Sequence, residues 1–559
     1  MTDNNTISDL LSLLAKLTDI HEENSFRSKS YSAAAFTVDK LPTPLAEMDR
    51  DKIFSIKGIG ESSGKKILEA LDNGRIKALD DMIAKTPKGI LEMLQIKGLG
   101  PKKIRTIWKE MEIESIGELL YACQENRLLL FKGFGEKTQK NVADSIEFYL
   151  RSQGHYLYAE IESYALTVQE RLSSVFPEAR FELTGGFRRQ LLILEKLDWV
   201  TTVAPEVLDA HFKGLDFTVA QPDPDTRVYS GVENVPLQFV FTHELSFTRT
   251  LFTTSCSAEF LSAVEALPGW KAQDAADEEA LFAAMGLHFI PTPMRERAEV
   301  VAKAAKAAIP TLISTDDVRA IIHSHSNWSD GMLPVADMAK ACIAKGLEYL
   351  VISDHSRSAF YANGLSMERI REQHLHIDEL NAKLAPFRIF KSIECDILND
   401  GALDYTDDVL STFDLVITSV HSNLKMTEEK AMQRLMGAIR NPYTTILGHM
   451  TGRLLLSRNG YPVDHHAVID ACAEHGVCIE INAHPRRLDM DWAWIPYAME
   501  KGVMLSINPD AHAAEGFNDI RFGVLAAQKG GLTKAFNLSS LGLTDFEAYI
   551  KDRKKKKGI

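Results

Sequence analysis

Cysteine is scarce, six in 559 residues at Cys123, Cys256, Cys342, Cys395, Cys472 and Cys478, and none forms a Cys-x-x-Cys pair. Most lie inside apolar patterns, so they read as reduced core thiols. Long apolar runs are missing too: stretches such as 128–131 and 349–352 are broken by polar residues, well short of the roughly 18 that a membrane span needs. The start, Met1-Thr2-Asp3, has no basic segment followed by an apolar one. Neither a signal peptide nor a membrane partner is expected, and a cytoplasmic protein is. Positive charge is in the minority, 63 Lys and Arg against 77 Asp and Glu for a net -14. That argues against a protein that coats nucleic acid indiscriminately, because phosphates are neutralised by Lys and Arg. Local basic surfaces remain compatible. The tail 551–557 is one, although a terminal charge run is more often merely solvated. At 45% hydrophobic and 25% charged residues the chain is neither disordered nor fibrous. Its length exceeds one ordinary core and implies roughly two to four domains.

What is present begins with a repeat. Ile56-Lys57-Gly58-Ile59-Gly60 recurs as Ile96-Lys97-Gly98-Leu99-Gly100 and as Phe131-Lys132-Gly133-Phe134-Gly135. Each copy sits between helical patterns, and the following helix carries Lys: Lys65 and Lys66, Lys102 and Lys103, Lys137 and Lys140. The glycines permit a tight turn, and backbone N–H groups at the next helix start can face a phosphate while Lys adds charge. Such a unit grips a DNA backbone without reading bases. A lone Gly-x-Gly is more often only a helix-joining turn. Three copies with Lys in the same place favour DNA contact by Gly58, Gly60, Lys66, Gly98, Gly100, Lys102, Lys103, Gly133, Gly135 and Lys137. These segments resemble helix-hairpin-helix motifs, and their order resembles the N-terminal region of bacterial family X DNA polymerases. In that resemblance Lys66 stands where the family's lyase-type lysine falls. A solvated or phosphate-binding role, rather than a Schiff-base nucleophile, is the expectation.

The stretch Leu183-Thr184-Gly185-Gly186-Phe187-Arg188-Arg189, followed by Leu197-Asp198-Trp199-Val200, resembles the palm signature of the same family, in which a Gly-Ser-x-Arg-Arg turn precedes a strand bearing Asp-x-Asp. Two-metal phosphoryl transfer requires several close carboxylates. Here Lys196 stands at the first position, Asp198 remains, and Gln238 replaces the third carboxylate on the strand-like run 235–240. An ammonium beside such a site repels divalent cations. Gly186 also replaces the family's Ser. Gly185, Gly186, Arg189, Lys196, Asp198 and Gln238 are therefore expected to line a degenerate polymerase site kept as scaffold or DNA grip. The resemblance continues through 247–257 and 281–295, where the family has its thumb.

Twelve of the 17 histidines fall between His323 and His512. Seven apolar, strand-like runs each end in a residue that can bind metal: 320–322 into His323 and His325, 349–353 into Asp354 and His355, 389–393 into Glu394, 415–420 into His421, 445–448 into His449, 477–481 into Asn482 and His484, and 503–507 into Asp510 and His512. Helical patterns such as 333–345, 367–384 and 464–475 separate most of them. This alternation argues for a parallel sheet closed into a barrel whose strand C-termini share one mouth. A single His at a strand end is usually a satisfied loop or core residue, but that explanation would be needed again for nearly every strand.

His323-Ser324-His325, Trp328-Ser329-Asp330-Gly331, Ser353-Asp354-His355-Ser356, Ser392-Ile393-Glu394-Cys395-Asp396, Ser419-Val420-His421-Ser422, Gly448-His449-Met450-Thr451-Gly452-Arg453 and Asn508-Pro509-Asp510-Ala511-His512 resemble the polymerase and histidinol phosphatase (PHP) domain. The resemblance implies nine ligands, His323, His325, Asp330, His355, Glu394, His421, His449, Asp510 and His512, suited to three divalent ions with Glu394 as the bridge. Without thiolates, Mn or Zn is expected and Fe is compatible. Glu394, His355, Asp330 and Arg453 are the expected catalytic residues, with Arg357, Arg453 and Arg487 as candidates to hold a phosphate. His374, His376, His465, His466 and His475 fall in helical patterns and read as surface or packing residues.

The whole is thus expected to be multidomain. A helical helix-hairpin-helix region (1–85 lyase-like, 86–152 fingers-like) precedes an α+β nucleotidyltransferase-like palm (153–235) and a thumb-like region with linker (236–312). An α/β PHP (β/α)7 barrel follows (318–559). The resemblance implies a metal-dependent phosphoesterase processing gapped, nicked or 3′-end DNA in repair, most directly a 3′-to-5′ exonuclease, with 3′-phosphatase or abasic-site cleavage as further activities. DNA polymerase activity and a protein partner are not expected. A small-molecule phosphatase of histidinol-phosphatase type would leave the hairpins unexplained. A non-catalytic gap-binding protein would leave the ligands unexplained.

Overall fold

Each Gly-x-Gly of the repeat is built in the same way. Gly58, Gly98 and Gly133 have φ of 100°, 90° and 97°, a left-handed region that glycine enters without strain. The glycines are exposed, while the residue between them, Ile59, Leu99 or Phe134, is buried as a plug. Gly60 and Gly100 then cap the helices Glu61–Asn73 and Pro101–Lys109, and Gly135 precedes Glu136–Arg151. The computed structural model describes residues 3–21, 25–41, 43–151, 154–231, 235–270 and 275–559. The expected boundary at 152/153 and the Met1-Thr2 start lie outside the described residues. The hairpins belong to one compact unit, Met1–Gln124 with Leu128–Tyr149, and the rest of the chain, Glu125–Arg127 with Leu150–Ile559, to another.

The second unit opens with β1 (Tyr156–Leu157), which pairs with β3 (Ile193–Leu194), beside a five-stranded sheet. That sheet uses β2 (Phe181–Thr184), β4 (Leu197–Thr201), β5 (Thr218–Asp223), β6 (Thr226–Ser230) and β7 (Leu237–Phe241) in the order β2-β4-β7-β6-β5. Only β4 and β7 run parallel, with Asp198 opposite Gln238. β4 is buried at every residue, and Trp199 stacks on Phe239 with ring centroids 5.1 Å apart. Short helices follow and pack around Phe252, Phe260 and Phe282. Arg295, which is fully buried, and half-buried Arg188 both grip Glu278, at 2.7 Å and 2.8 Å, tying these helices to the end of β2.

The remaining strands are all parallel: β8 (Ala320–Ile321), β9 (Tyr349–Ile352), β10 (Arg388–Lys391), β11 (Glu394–Asp396), β12 (Val416–Ser419), β13 (Thr444–Leu447), β14 (Cys478–Asn482) and β15 (Leu505–Asn508). They pair as β10-β9-β8 and β11-β12-β13-β14-β15. The expected third run, 389–393, is divided at Ser392-Ile393. The chain pairs with β9 before this point and with β12 after it, so one run becomes two strands and serves two neighbours. Bridges between His355 and Glu394 and between Ser324 and Ala511 continue the pairing past the strand ends. At the opposite end the last helix, Leu543–Lys557, stacks Phe546 on Tyr349. The basic tail, read as solvated, is partly tied down here: Arg553 is buried, and Lys554 Nζ donates to the Phe413 carbonyl. All six cysteines are free and buried, as expected. No helix among the described residues is long and apolar enough to cross a membrane.

Candidate metal centre

The C-terminal strand ends bring the nine expected ligands together. His323 and His325 follow β8, Asp330 lies on the next loop, His355 follows β9, Glu394 opens β11, and His421 and His449 follow β12 and β13. Asp510 and His512 follow β15. Among the described residues, three overlapping groups have ligand atoms all within 4.8 Å of one another: His325, Asp330, His355 and His512; His323, His325, Glu394 and Asp510; and His355, Glu394 and His421. Glu394 belongs to the second and third of these. Its Oε1 lies 3.0 Å from Nε2 of both His421 and His449, and its Oε2 lies 3.3 Å from His323 and 3.1 Å from His355. His323 and Asp510 hold φ of 71° and 53°. Such left-handed backbone costs a non-glycine residue on the order of 1–3 kcal/mol and gathers at functional sites.

The residues fit divalent cations. His323 Nε2, His325 Nδ1, Asp330 Oδ2, Glu394 Oε2 and His512 Nε2 are buried with no hydrogen-bond partner. Buried polar atoms are almost always partnered, so five such atoms in one cluster point to a shared positive charge. Burial opposes ionisation of Glu394, yet His421, His323 and His355 hold its carboxyl well below the usual range. Burial likewise opposes Asp330, and His355 and His512 hold it down. Burial would depress His421, but Glu394 and Asp396 push it up to about 10, and Asp330 does the same for His512. A compartment that draws protons so strongly draws other cations too.

Further carboxylates fix these ligands. Asp354, a strand-end candidate in the sequence, accepts hydrogen bonds from the Ser326 N–H (2.8 Å), Ser329 Oγ (2.5 Å) and Gln373 Nε2 (2.6 Å), and so orders the loop that carries Asp330. Asp396 accepts from His421 Nδ1 at 2.6 Å. Glu480 accepts from His323 Nδ1 at 2.6 Å. Glu480 belongs to no motif; its one signal is a charged residue in the otherwise apolar run Val477-Cys478-Ile479-Glu480-Ile481. His449, Asn482 and His484 lie outside the three ligand groups. Asn482 donates to Asp510 Oδ2 at 3.0 Å, and burial pushes His484 down to about 3.

Arg453, expected to be catalytic, is engaged by the protein itself. Its guanidinium donates to Asp491 and to the carbonyls of Arg487 (3.0 Å) and Leu488, so it braces the 487–491 loop. Arg357 is bound to Asp404, with Nε 3.3 Å from Oδ1. Arg487 is the arginine beside the cluster, with Nε 3.8 Å from Asp510 Oδ2. The helical histidines pack as expected, His374 against Phe413 and His465 against Trp494.

The DNA polymerase/3′-5′ exonuclease PolX of Bacillus subtilis (strain 168) is 32% identical over 563 residues, which are 97% of this chain and 98% of that one. The chain belongs to the PolX family. A probable phosphatase of Thermoanaerobacter sp. (strain X514) is 26% identical over 246 residues, 40% of this chain and 97% of its own. Another, from Caldanaerobacter subterraneus subsp. tengcongensis, is 28% identical over 207 residues, 34% of this chain and 74% of its own. Models of a Helix-hairpin-helix domain and of a SAM-like Helix-hairpin-helix tandem match residues 2–76 and 90–147.

Two other sites of this PolX-family chain come from the sequence. In the hairpins, Lys102, Lys137 and Lys140 are exposed. Lys103 Nζ donates to the Gly98 carbonyl at 3.3 Å, and Lys66 pairs with Glu69 of its own helix at 2.9 Å. On the five-stranded sheet, Gly185, Gly186, Arg189, Lys196, Asp198 and Gln238 line one cleft of about 610 Å³. Lys196 Nζ lies 2.8 Å from Gln238 Oε1 and 3.4 Å from Asp198 Oδ1. Burial raises the Asp198 carboxyl, and Lys196 opposes that rise. A Cβ on Gly185 would stand 2.2 Å from Asp198 Oδ2, so only glycine fits there. Arg189 is bound to Glu296 at 3.1 Å.

Proposed function

We propose that the C-terminal centre is a metal-dependent phosphoesterase that processes DNA ends in repair, chiefly as a 3′-to-5′ exonuclease, with 3′-phosphatase or abasic-site cleavage as the alternative activities of the same site. The observation that carries this is the cluster around Glu394, in which eight of the nine expected ligands fall into three close groups and His449 lies 3.0 Å from Glu394 Oε1, in a chain that matches over nearly its full length a relative named as a 3′-5′ exonuclease. The phosphatase relatives support the hydrolytic part, since the match of 246 residues, 40% of this chain, is close in length to the PHP barrel expected over 318–559. The domain division is that of the sequence: 1–85 and 86–152 with hairpins, palm 153–235, thumb-like region and linker 236–312, then the barrel.

Three ions, Mn or Zn, suit the three ligand groups, with Glu394 shared between two of them. Divalent ions supply Lewis acidity there and make water a stronger acid. Glu394 fixes the spacing between groups, and His355 and Asp330 hold the side nearest the loop 326–333. Asp354 orders the loop that carries Asp330, and Asp396 keeps His421 from rotating when a phosphodiester enters. In the palm, Lys196 occupies the place of a cation between Asp198 and Gln238, which supports a degenerate polymerase site used as a grip.

Purified protein with Mn is tested on a 3′-recessed duplex labelled at either end, on histidinol phosphate, and on a primer-template with all four nucleotides. The expected result is release of nucleotides from the 3′ end without primer extension. Hydrolysis of histidinol phosphate with DNA untouched would establish a small-molecule phosphatase instead. Binding of gapped DNA without hydrolysis would establish a non-catalytic protein. Extension dependent on Asp198 would overturn the reading of the palm.

A further inference from the structure

We infer that Glu480 is a positioning residue of the metal centre, a carboxylate beneath the ligands that sets the tautomer of His323 and the seat of His449. The inference rests on reading the cluster as a metal site.

Glu480 is fully buried in the middle of β14. Its Oε1 is 2.6 Å from His323 Nδ1 and 2.9 Å from Asn508 Nδ2. Its Oε2 is 2.8 Å from the His449 N–H and 3.3 Å from Asn482 Nδ2. Both amides are oriented by other bonds. Asn508 Oδ1 accepts from Ser506 Oγ at 2.7 Å, and Asn482 Oδ1 accepts from the His484 N–H at 3.1 Å, so each turns its NH2 toward Glu480. The His449 N–H is main chain and can only donate.

Three of the four neighbours are therefore donors by construction, and His323 Nδ1 faces the same carboxylate. It must donate, so in the neutral imidazole that a metal ion requires, Nε2 is the lone-pair nitrogen. That Nε2 lies 3.3 Å from both Glu394 and Asp510. Only an ionised carboxylate offers acceptors on both sides. A glutamine in either orientation would press its NH2 against two donors. Gly448 lets the His449 backbone come this close, since a Cβ there would stand 2.4 Å from Ser419 Oγ. Glu480 thus links ligands after β8 and β13 directly, and reaches Asp510 after β15 through Asn482.

The test measures Mn bound per chain, and Mn affinity, in the full-length protein and in Glu480→Gln, Glu480→Asp and Asn508→Ala, with circular dichroism to verify folding. Glu480→Gln should bind Mn roughly 10–100-fold more weakly, the usual consequence of losing a carboxylate behind a ligating His. The loss should fall on one ion, and phosphoester hydrolysis should recover at high Mn. Glu480→Asp keeps the four acceptors and should recover part of the affinity; Asn508→Ala keeps the carboxylate and should lose less. Wild-type affinity in Glu480→Gln overturns the inference, as does Glu480→Asp no better than Glu480→Gln. If Glu480→Gln does not fold, unchanged Mn affinity in both Glu480→Asp and Asn508→Ala overturns it. A wild-type chain that binds no Mn sinks the metal-centre reading itself, a result distinct from the others.

Discussion

At the scale of single residues, the side chain that matters most is Glu394. Each of its oxygens faces at least two imidazoles, so its removal disturbs more than one ligand group, whereas His323→Ala or His421→Ala removes one donor. Glu394→Ala should lower nucleotide release from a 3′-recessed duplex by roughly 10²–10³-fold, a loss typical of removing a main electrostatic group. It should be the worst single change, and Glu394→Ala with His421→Ala should be scarcely worse than Glu394→Ala alone, because ligands of one site act as a unit. EDTA should abolish release, and Mn should restore it at least as well as Mg, which rarely accepts so many imidazoles. Near wild-type release by all three single variants would remove this cluster from the chemistry.

At the scale of elements, an ion-pair triad at Glu278 ties the helices after β7 to the end of β2. Burial opposes the charge on Glu278, but Arg188 and Arg295 draw its carboxyl from an ordinary 4.5 down to about 2. A carboxyl lowered in the folded state adds stability above its unfolded value and loses it as pH falls through the folded one. The contribution should therefore be complete at neutral pH and fade between about pH 4.5 and about 2. Such a shift corresponds to about 3 kcal/mol. Glu278→Gln should lower the melting temperature at pH 7 and make melting less sensitive to pH over that acid range. Equal acid sensitivity in the variant and the wild type would assign the effect to other carboxylates.

At the scale of the whole molecule, a net charge of -14 and three exposed basic hairpins divide the labour. Phosphate contacts by Lys release counterions, so DNA affinity should fall steeply and linearly on a logarithmic salt scale, with little dependence on sequence. A fragment lacking residues 1–150 should still hydrolyse a small phosphoester at near wild-type rate while binding DNA much more weakly. Fluorescence anisotropy across a salt series, with a chromogenic phosphoester beside it, measures both. Undiminished DNA binding by the fragment would show that the hairpins do not grip DNA.

Much of this was legible in the chain itself. A turn that needs positive φ writes itself as glycine, so Gly58, Gly98 and Gly133 announce the hairpins, and parallel strands ending in His, Asp or Glu announce a common mouth. Local rules determine those features, and local rules are visible in a linear text. The partners of the ligands were not. Nothing in the sequence says that Arg453 is consumed by the 487–491 loop, that Ser392-Ile393 divides a strand between two neighbours, or that Lys196 closes on Gln238. Glu480 lies 157 residues from the histidine it orients. Its four donors come from three strand ends and its own strand, and only tertiary folding could bring them to one carboxylate, because hydrogen-bond satisfaction in a buried core is settled by geometry in space and not by order along the chain.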